Sequence, residues 1–359
     1  MGLFFLIVSL IFLTMHIIVG AWFYFIFPSI GWKISIVIFP LLGTALMCFA
    51  MTYTRTHWGT IDSLVYYITY IWSGLIFIFS FLVIILALMQ ALCALAHWHI
   101  FPLLKWGSLI LFAAVTFLSI WGGFSQPKIK HINLSIPNAP HLTVTIISDT
   151  HLGIGVSQIR LQKALDRIQA VQPDLVLFLG DIFEYGPNRE QYAQRIAQLS
   201  TPLGSYGVLG NHEYYVGLQN SIDFFKQAGI ELLQNQFVTL PNGLQIIGIN
   251  DIKTTALTAE QLDELLTKTD EHSPRILLSH QPLLTDIAAK HQIALMLSGH
   301  THNGQIFPFN LLVKLVYPYI YGLYQIGPQS HLYVTSGMFY WGMPLRLFAP
   351  AEIPILHIN

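Results

Sequence analysis

Four long apolar stretches fill the first third of the chain, and shorter apolar runs separated by polar turns fill the rest. Leu3–Phe27 carries no charge and stops at Pro28. Ile34–Tyr53 follows Lys33 and stops before Arg55. A run free of Asp, Glu, Lys and Arg extends from Ser63 to Leu104, strongest over roughly Tyr66–Ala96, and Trp106–Phe124 follows Lys105. Each reaches the ~20 apolar residues that a helix needs to cross a hydrocarbon core about 30 Å thick. Trp22, Trp32, Tyr53, Trp58, Trp98, Trp106 and Trp121 fall near the ends, where interfacial anchors belong. The pattern predicts a membrane domain of four transmembrane α-helices over residues 1–125. A cleaved leader is a poor fit to the first stretch, which lacks a basic start and is long for a leader's apolar region. Core helices of a globular domain do not run this long without a charge on any face.

Past a polar linker at Gln126–Pro140 the pattern changes. Leu142–Ser148 is a short β-rich run, and Gln158–Gln169 sets Ile159, Leu161, Ala164, Leu165 and Ile168 at helical spacing. Further strands fit Leu175–Leu179, Tyr206–Leu209, Leu244–Ile249, Arg275–Ser279 and Leu295–Ser298. Helices fit about Asn220–Ala228, Ala259–Leu266 and Leu283–Ala289. Such alternation predicts an α/β domain with much parallel sheet over residues 141–359.

Composition sharpens this division. The chain is 54% hydrophobic and 10% charged, against about 25% charged in a soluble domain. Up to Lys130 the only charges are Lys33, Arg55, Asp62, Lys105, Lys128 and Lys130. The net charge of −1 therefore averages two unlike halves. No basic patch points to nucleic acid. Cys48 and Cys93 both sit in apolar runs and imply packing rather than a disulfide framework. No span carries an Asp, Glu, Lys or Arg, which argues against a channel or transporter. With the N-terminus inside, Arg55, Lys128 and Lys130 flank the cytoplasmic side against Lys33 and Lys105 outside. That excess favours a multi-pass protein whose α/β domain is cytoplasmic.

Chemistry gathers at the predicted strand ends, where open α/β sheets bind ligands. The first strand runs into Asp149–Thr150–His151, the second into Gly180–Asp181, the third into Gly210–Asn211–His212–Glu213. Later strands end at Ser279–His280 and at Gly299–His300–Thr301–His302, whose alternating histidines would point the same way off an extended strand. Imidazole and carboxylate suit Zn, Mn or Fe, and the lack of cysteine disfavours a thiolate site. Two cations about 3.5–4 Å apart need a shared carboxylate and can clamp both oxygens of an in-line displacement at phosphorus. Each motif alone is common; the ordered set at successive strand ends is not.

This set resembles the calcineurin-like metallophosphoesterases, whose pattern is Asp-x-His, Gly-Asp, Gly-Asn-His-Glu/Asp, a lone His and Gly-His-x-His. The resemblance covers about Leu142 to the C-terminus. It implies a sandwich of two mixed β-sheets flanked by helices and a dinuclear site for two divalent metal ions, manganese being expected and iron or zinc accepted by the same ligands. One ion would take Asp149, His151, Asp181 and His302; the other would take Asp181, Asn211, His280 and His300. His212 would bind no metal but would stabilise the phosphoryl oxygens or protonate the leaving group. Many members orient that histidine with an aspartate three residues after the Gly-Asp carboxylate; the matching position here is Glu184, one methylene longer. The expected function is hydrolysis of phosphoester or pyrophosphate bonds at a membrane. The anchor suggests a lipid-linked substrate, such as the UDP-2,3-diacylglucosamine that some members cleave. The rival expectations are a broad phosphodiesterase or phosphatase on soluble substrates with the spans only as anchor, and a non-catalytic, metal-stabilised interaction module.

Two further segments stand out. Gly304–Gly322 is apolar and aromatic, with Lys314 its only charge, and reads either as a buried helix and loop or as a surface entering the bilayer interface. The run Ser336–Met338 and Trp341–Arg346 resembles a branch of the same family with N-terminal membrane segments, in which Arg346 would be structural or close to the phosphate.

Overall fold

The computed structural model describes residues 2–54, 56–98 and 100–359. Arg55, one of the charges used for orientation, lies outside them. The chain divides into two compact units.

Among the described residues the first unit holds four helices long and apolar enough to cross a membrane. They are Gly2–Ile26, Phe39–Tyr53 with a π-helical lead-in at Lys33–Ile38, Thr60–Leu95 and Phe101–Phe124. Trp22, Ile26, Val83, Leu86, Leu104 and Phe112 pack inside it, while many of its Leu, Ile and Phe side chains face outward. The outward apolar surface fits a hydrocarbon solvent. His16 is buried among these helices and fully bonded: its Nδ1 meets Phe12 O at 2.7 Å and its Nε2 accepts from Trp72 Nε1 at 3.0 Å. Two excursions from the later chain, Ile306–Pro308 and Gly342–Leu347, also belong to this unit. Ile306, Leu345 and Leu347 pack against Leu75 and Ile78. Glycines permit the closest approach: a Cβ on Gly122 would lie 2.3 Å from Arg346 O, and one on Gly123 2.1 Å from Pro344 O. The Arg346 N–H donates to Ser119 O at 2.9 Å, so its backbone is fixed to a helix.

The second unit contains two six-stranded mixed sheets. In chain order the strands are β1 (Lys128–Leu134), β2 (Leu142–Ile147), β3 (Leu175–Phe178), β4 (Ser205–Gly207), β5 (Glu231–Leu232), β6 (Gln236–Thr239), β7 (Gln245–Gly248), β8 (Arg275–Leu278), β9 (Leu295–Ser298), β10 (Gly322–Gly327), β11 (Ser330–Val334) and β12 (Glu352–Ile358). The first sheet runs β1-β12-β2-β3-β4-β5 and the second β10-β11-β9-β8-β7-β6. Period-two alternation divides each central strand between two layers. Val144, Ile146, Leu175 and Leu177 meet Ile276, Leu278, Leu295 and Leu297 between the sheets. Their neighbours Ile147, Val176 and Phe178 face outward onto Leu161, Leu165, Ile168, Phe224 and Phe225 of the covering helices. Ile247, Leu277 and Met296 do the same on the other sheet with Leu262, Leu266 and Ala288. Each such side chain contributes about 1.5–3 kcal/mol when fully buried.

One expectation needs correction. Gln126–Pro140 is not a free linker, because β1 lies within it and pairs in parallel with β12 over seven residue pairs. It is an edge strand, mostly half-buried or exposed, so its Lys-Ile-Lys-His-Ile-Asn sequence reads as polar connecting chain.

Candidate metal centre

The seven residues expected as ligands all follow carboxyl ends of β2, β3, β4, β8 and β9, three strands from one sheet and two from the other. Backbone and side-chain bonds knit these ends together. Asp149 N–H donates to Gly180 O at 3.1 Å and His151 N–H to Asp181 O at 3.0 Å. Across the sheets, His300 N–H donates to Asp149 Oδ1 at 2.9 Å, and His280 Nδ1 meets Leu179 O at 2.7 Å. Gly299 makes the crossing possible, since a Cβ there would sit 2.1 Å from Ser148 Oγ and 2.3 Å from Asp149 Oδ2.

Asp149, His151, Asp181, His300 and His302 have φ between 43° and 66°. Left-handed backbone is rare for residues with a Cβ and concentrates at functional sites, where the surrounding structure enforces it. It also corrects the expectation that His300 and His302 share a direction: the chain turns at His300 and enters a 3₁₀ turn at His302–Gly304, sending the two rings to different groups.

Those groups are Asp149, His151 and His302 on one side and Asp181, His280 and His300 on the other. His151, Asp181 and His212 form a third, overlapping set; within each set the ligand atoms lie within 4.8 Å of one another. The donor chemistry fits divalent cations. His151 Nε2 faces His302 Nε2 at 3.0 Å, and His280 Nε2 faces His300 Nδ1 at 3.1 Å. The other nitrogens of three rings are tied back, His151 Nδ1 to Glu184 Oε1 (2.8 Å), His280 Nδ1 to Leu179 O and His300 Nε2 to Tyr317 Oη (2.8 Å). Such outer bonds hold the inner nitrogen as a lone-pair donor, the usual arrangement around a bound metal. Asn211 is buried and its Oδ1 has no hydrogen-bond partner among the described residues, an expensive state that a cation would relieve.

Glu184 reaches further than its position in the motif implies. Its Oε1 also meets His212 Nδ1 at 2.5 Å, so the extra methylene does not take the carboxylate away from that histidine. Burial would lower the His212 pKa, but the Asp181 and Glu184 carboxylates outweigh it and hold the imidazole up at about 9. Glu184 in turn, despite burial, is drawn down to about 2, chiefly by His212 and then by its bonds to His151 and His212. Burial is also opposed at His280, where Asp181 lifts the ring to about 10; at His300 burial prevails and, with His280 beside it, pushes the ring down to about 3.

Several participants escape sequence reasoning. Glu213 stood in the motif without a role; buried, it accepts the backbone N–H groups of Asp181 (2.9 Å), Ile182 (2.7 Å), Phe183 (3.3 Å) and Gly210 (2.7 Å), fixing the Gly-Asp turn. Tyr317 receives Lys253 Nζ at 2.9 Å and lies 3.4 Å from Gln281 Oε1, completing a chain behind His300. Nothing in the local sequence marks Lys253 or Gln281. The Gly304–Gly322 segment does not form a buried helix: Phe309–Val316 has no buried residue, and Leu311, Leu312, Leu315 and Val316 are exposed.

A family model described as calcineurin-like phosphoesterase matches residues 142–304. An uncharacterised metallophosphoesterase of Campylobacter jejuni is 32% identical over 334 residues, covering 91% of this chain and 88% of its own. A Danio rerio protein named as a transmembrane protein with a metallophosphoesterase domain is 30% identical, over 68% of this chain and 60% of its own length. A metallophosphoesterase of Aquifex aeolicus is 33% identical, over 62% of this chain and 87% of its own.

Proposed function

The chain belongs to the calcineurin-like metallophosphoesterases, and from that premise we propose that it hydrolyses a phosphoester or pyrophosphate bond of a lipid-linked substrate, the UDP-2,3-diacylglucosamine class being one chemistry of that kind. Asp149, His151, Asp181 and His302 would hold one divalent ion, and Asp181, Asn211, His280 and His300 would hold the other. Bound there, the ions would polarise the phosphoryl oxygens and supply hydroxide at neutral pH. His212, charged through its bond to Glu184, stands ready to give a proton to the departing oxygen. Residues 1–125 serve as a multi-pass membrane domain and the chain from β1 onward as the phosphoesterase domain, facing the cytoplasm.

One observation carries the lipid assignment. Helix Phe309–Val316 presents exposed Leu311, Leu312, Leu315 and Val316, and the next residue, Tyr317, is bonded to His300. An apolar helix thus ends at a proposed metal ligand, which suits an acyl chain attached to the reacting phosphate.

The test compares an acylated sugar–nucleotide pyrophosphate, its deacylated form and bis-p-nitrophenyl phosphate, using detergent-purified full-length protein and Mn²⁺. Acylation should raise kcat/KM by about tenfold or more. Leu312→Asp with Leu315→Asp should remove that preference and spare the soluble diester. Equal turnover of acylated and deacylated forms would sink the lipid assignment and leave a broad phosphodiesterase.

A further inference from the structure

His212 is flanked by two aromatic rings that nothing described so far uses. Tyr215, one helical turn further along Asn211–Val216, lies edge-to-face with it at 5.3 Å and 65°, and Trp341 does so at 5.7 Å and 71°. Both rings are open to solvent, Tyr215 at 59% and Trp341 at 52%, while Phe339 and Tyr340 just before Trp341 are buried. Their exposure does not come from loose chain. Trp341 N–H donates to Gln305 Oε1 at 2.8 Å, and Gln305 Nε2 donates back to Trp341 O at 3.0 Å. Gln305 itself lies three residues past His302, within the turn of the metal centre. The Tyr215 carbonyl accepts from Tyr185 Oη, and Tyr185 adjoins Glu184, the residue that holds His212.

A large aromatic ring held rigidly in water beside a proton donor leaves a face unsatisfied. Stacking a second planar ring on it adds about 0.5–1.5 kcal/mol beyond area burial. The placement matters too. The aliphatic side chains of Phe309–Val316 lead to His300, whereas the rings surround His212. The two ends of a substrate would therefore meet different chemistries.

We propose that Tyr215 and Trp341 form a subsite for a planar ring carried by the leaving group. The proposal rests on the phosphoesterase reading above and adds a specificity to it. Hydrolysis forms a P–O bond to a water-derived oxygen and breaks the P–O bond to the alcohol. The alcohol oxygen departs with the bonding pair and takes the proton from His212, which places its substituent against the two rings.

The experiment uses full-length protein with Mn²⁺ and matched esters of benzyl alcohol and cyclohexylmethanol, each as phosphomonoester and as methyl phosphodiester. The two alcohols are primary and similar in size and basicity, but only one has a π-face. The wild type should favour the benzyl ester in kcat/KM by about three- to tenfold, mainly through KM. Trp341→Ala and Tyr215→Ala should each erode that ratio, and Trp341→Phe should retain most of it. Equal rates for the pair in the wild type would overturn the subsite. So would a Trp341→Ala variant that slows both esters alike with metal content intact, because the ring would then merely pack on His212. Bis-p-nitrophenyl phosphate separates the two levels: if no ester at all is cleaved, the phosphoesterase reading falls and takes the subsite with it.

Discussion

The two halves of the metal centre are held by different means. Around Asp149, His151 and His302 the outer support includes one charged side chain, Glu184, which bonds His151 and also serves His212, beside Ser148 Oγ and the His300 N–H on Asp149. Around Asp181, His280 and His300 it is a backbone carbonyl, Leu179 O, together with Tyr317, Lys253 and Gln281. On the roles proposed above, the first half would join metal holding to proton donation through Glu184, while the second would spread its support over several neutral and cationic groups. Damage to the first should show in the chemistry, and damage to the second mainly in metal affinity.

The largest expected loss belongs to Asp181, proposed above as a ligand of both ions. Asp181→Asn should empty both positions and lower kcat/KM by roughly 10³-fold or more, measured as metal per chain alongside turnover. His212→Ala follows, with kcat down about 10²- to 10⁴-fold and metal content unchanged. If metal content fell as well, His212 would have to be counted among the ligands. Glu184→Gln removes a charge from both His151 and His212; it should cost about 10- to 100-fold in kcat and weaken one of the two ions. Tyr317→Phe should have the smallest effect, a drop in affinity of about tenfold for the other ion, recovered by raising Mn²⁺. Should Glu184→Gln and Tyr317→Phe strip the same ion equally, the two halves are not separately supported and the contrast collapses.

Much of this was legible in the sequence because the chemistry sits immediately after strands. Leu175–Phe178 and Leu295–Ser298 are short, wholly buried apolar runs, so their ends are sharp and Asp181 and His300 follow at once. Helix Gln158–Gln169 was clear at its start, where Ser157 Oγ caps it by accepting from Arg160 N at 3.2 Å. What stayed hidden depends on contacts between distant segments. Tyr317 meets Lys253 across 64 positions, and Gln305 meets Trp341 across 36. No local periodicity encodes either pair. The two-sheet sandwich came from the family resemblance and not from the strand pattern, because a buried strand reads the same whichever sheet it joins. The left-handed turns at Asp149, His151 and Asp181 were invisible for a related reason: none of these residues is a glycine that would announce them.

The edge strand β1 carries a consequence for biosynthesis. Its one strand neighbour is β12, and only Ser125–Pro127 separate it from the helix Phe101–Phe124. A ribosome adding about 5–20 residues per second needs roughly ten to forty-five seconds to make the intervening stretch. For that interval the nascent chain holds an unpaired strand three residues past the helix Phe101–Phe124, while β2, β3 and β4 can already assemble. The sheet is closed by β12, a strand made long after both of its neighbours, so a chain released before Glu352 would leave both β1 and the flank of β2 open to pairing with other molecules.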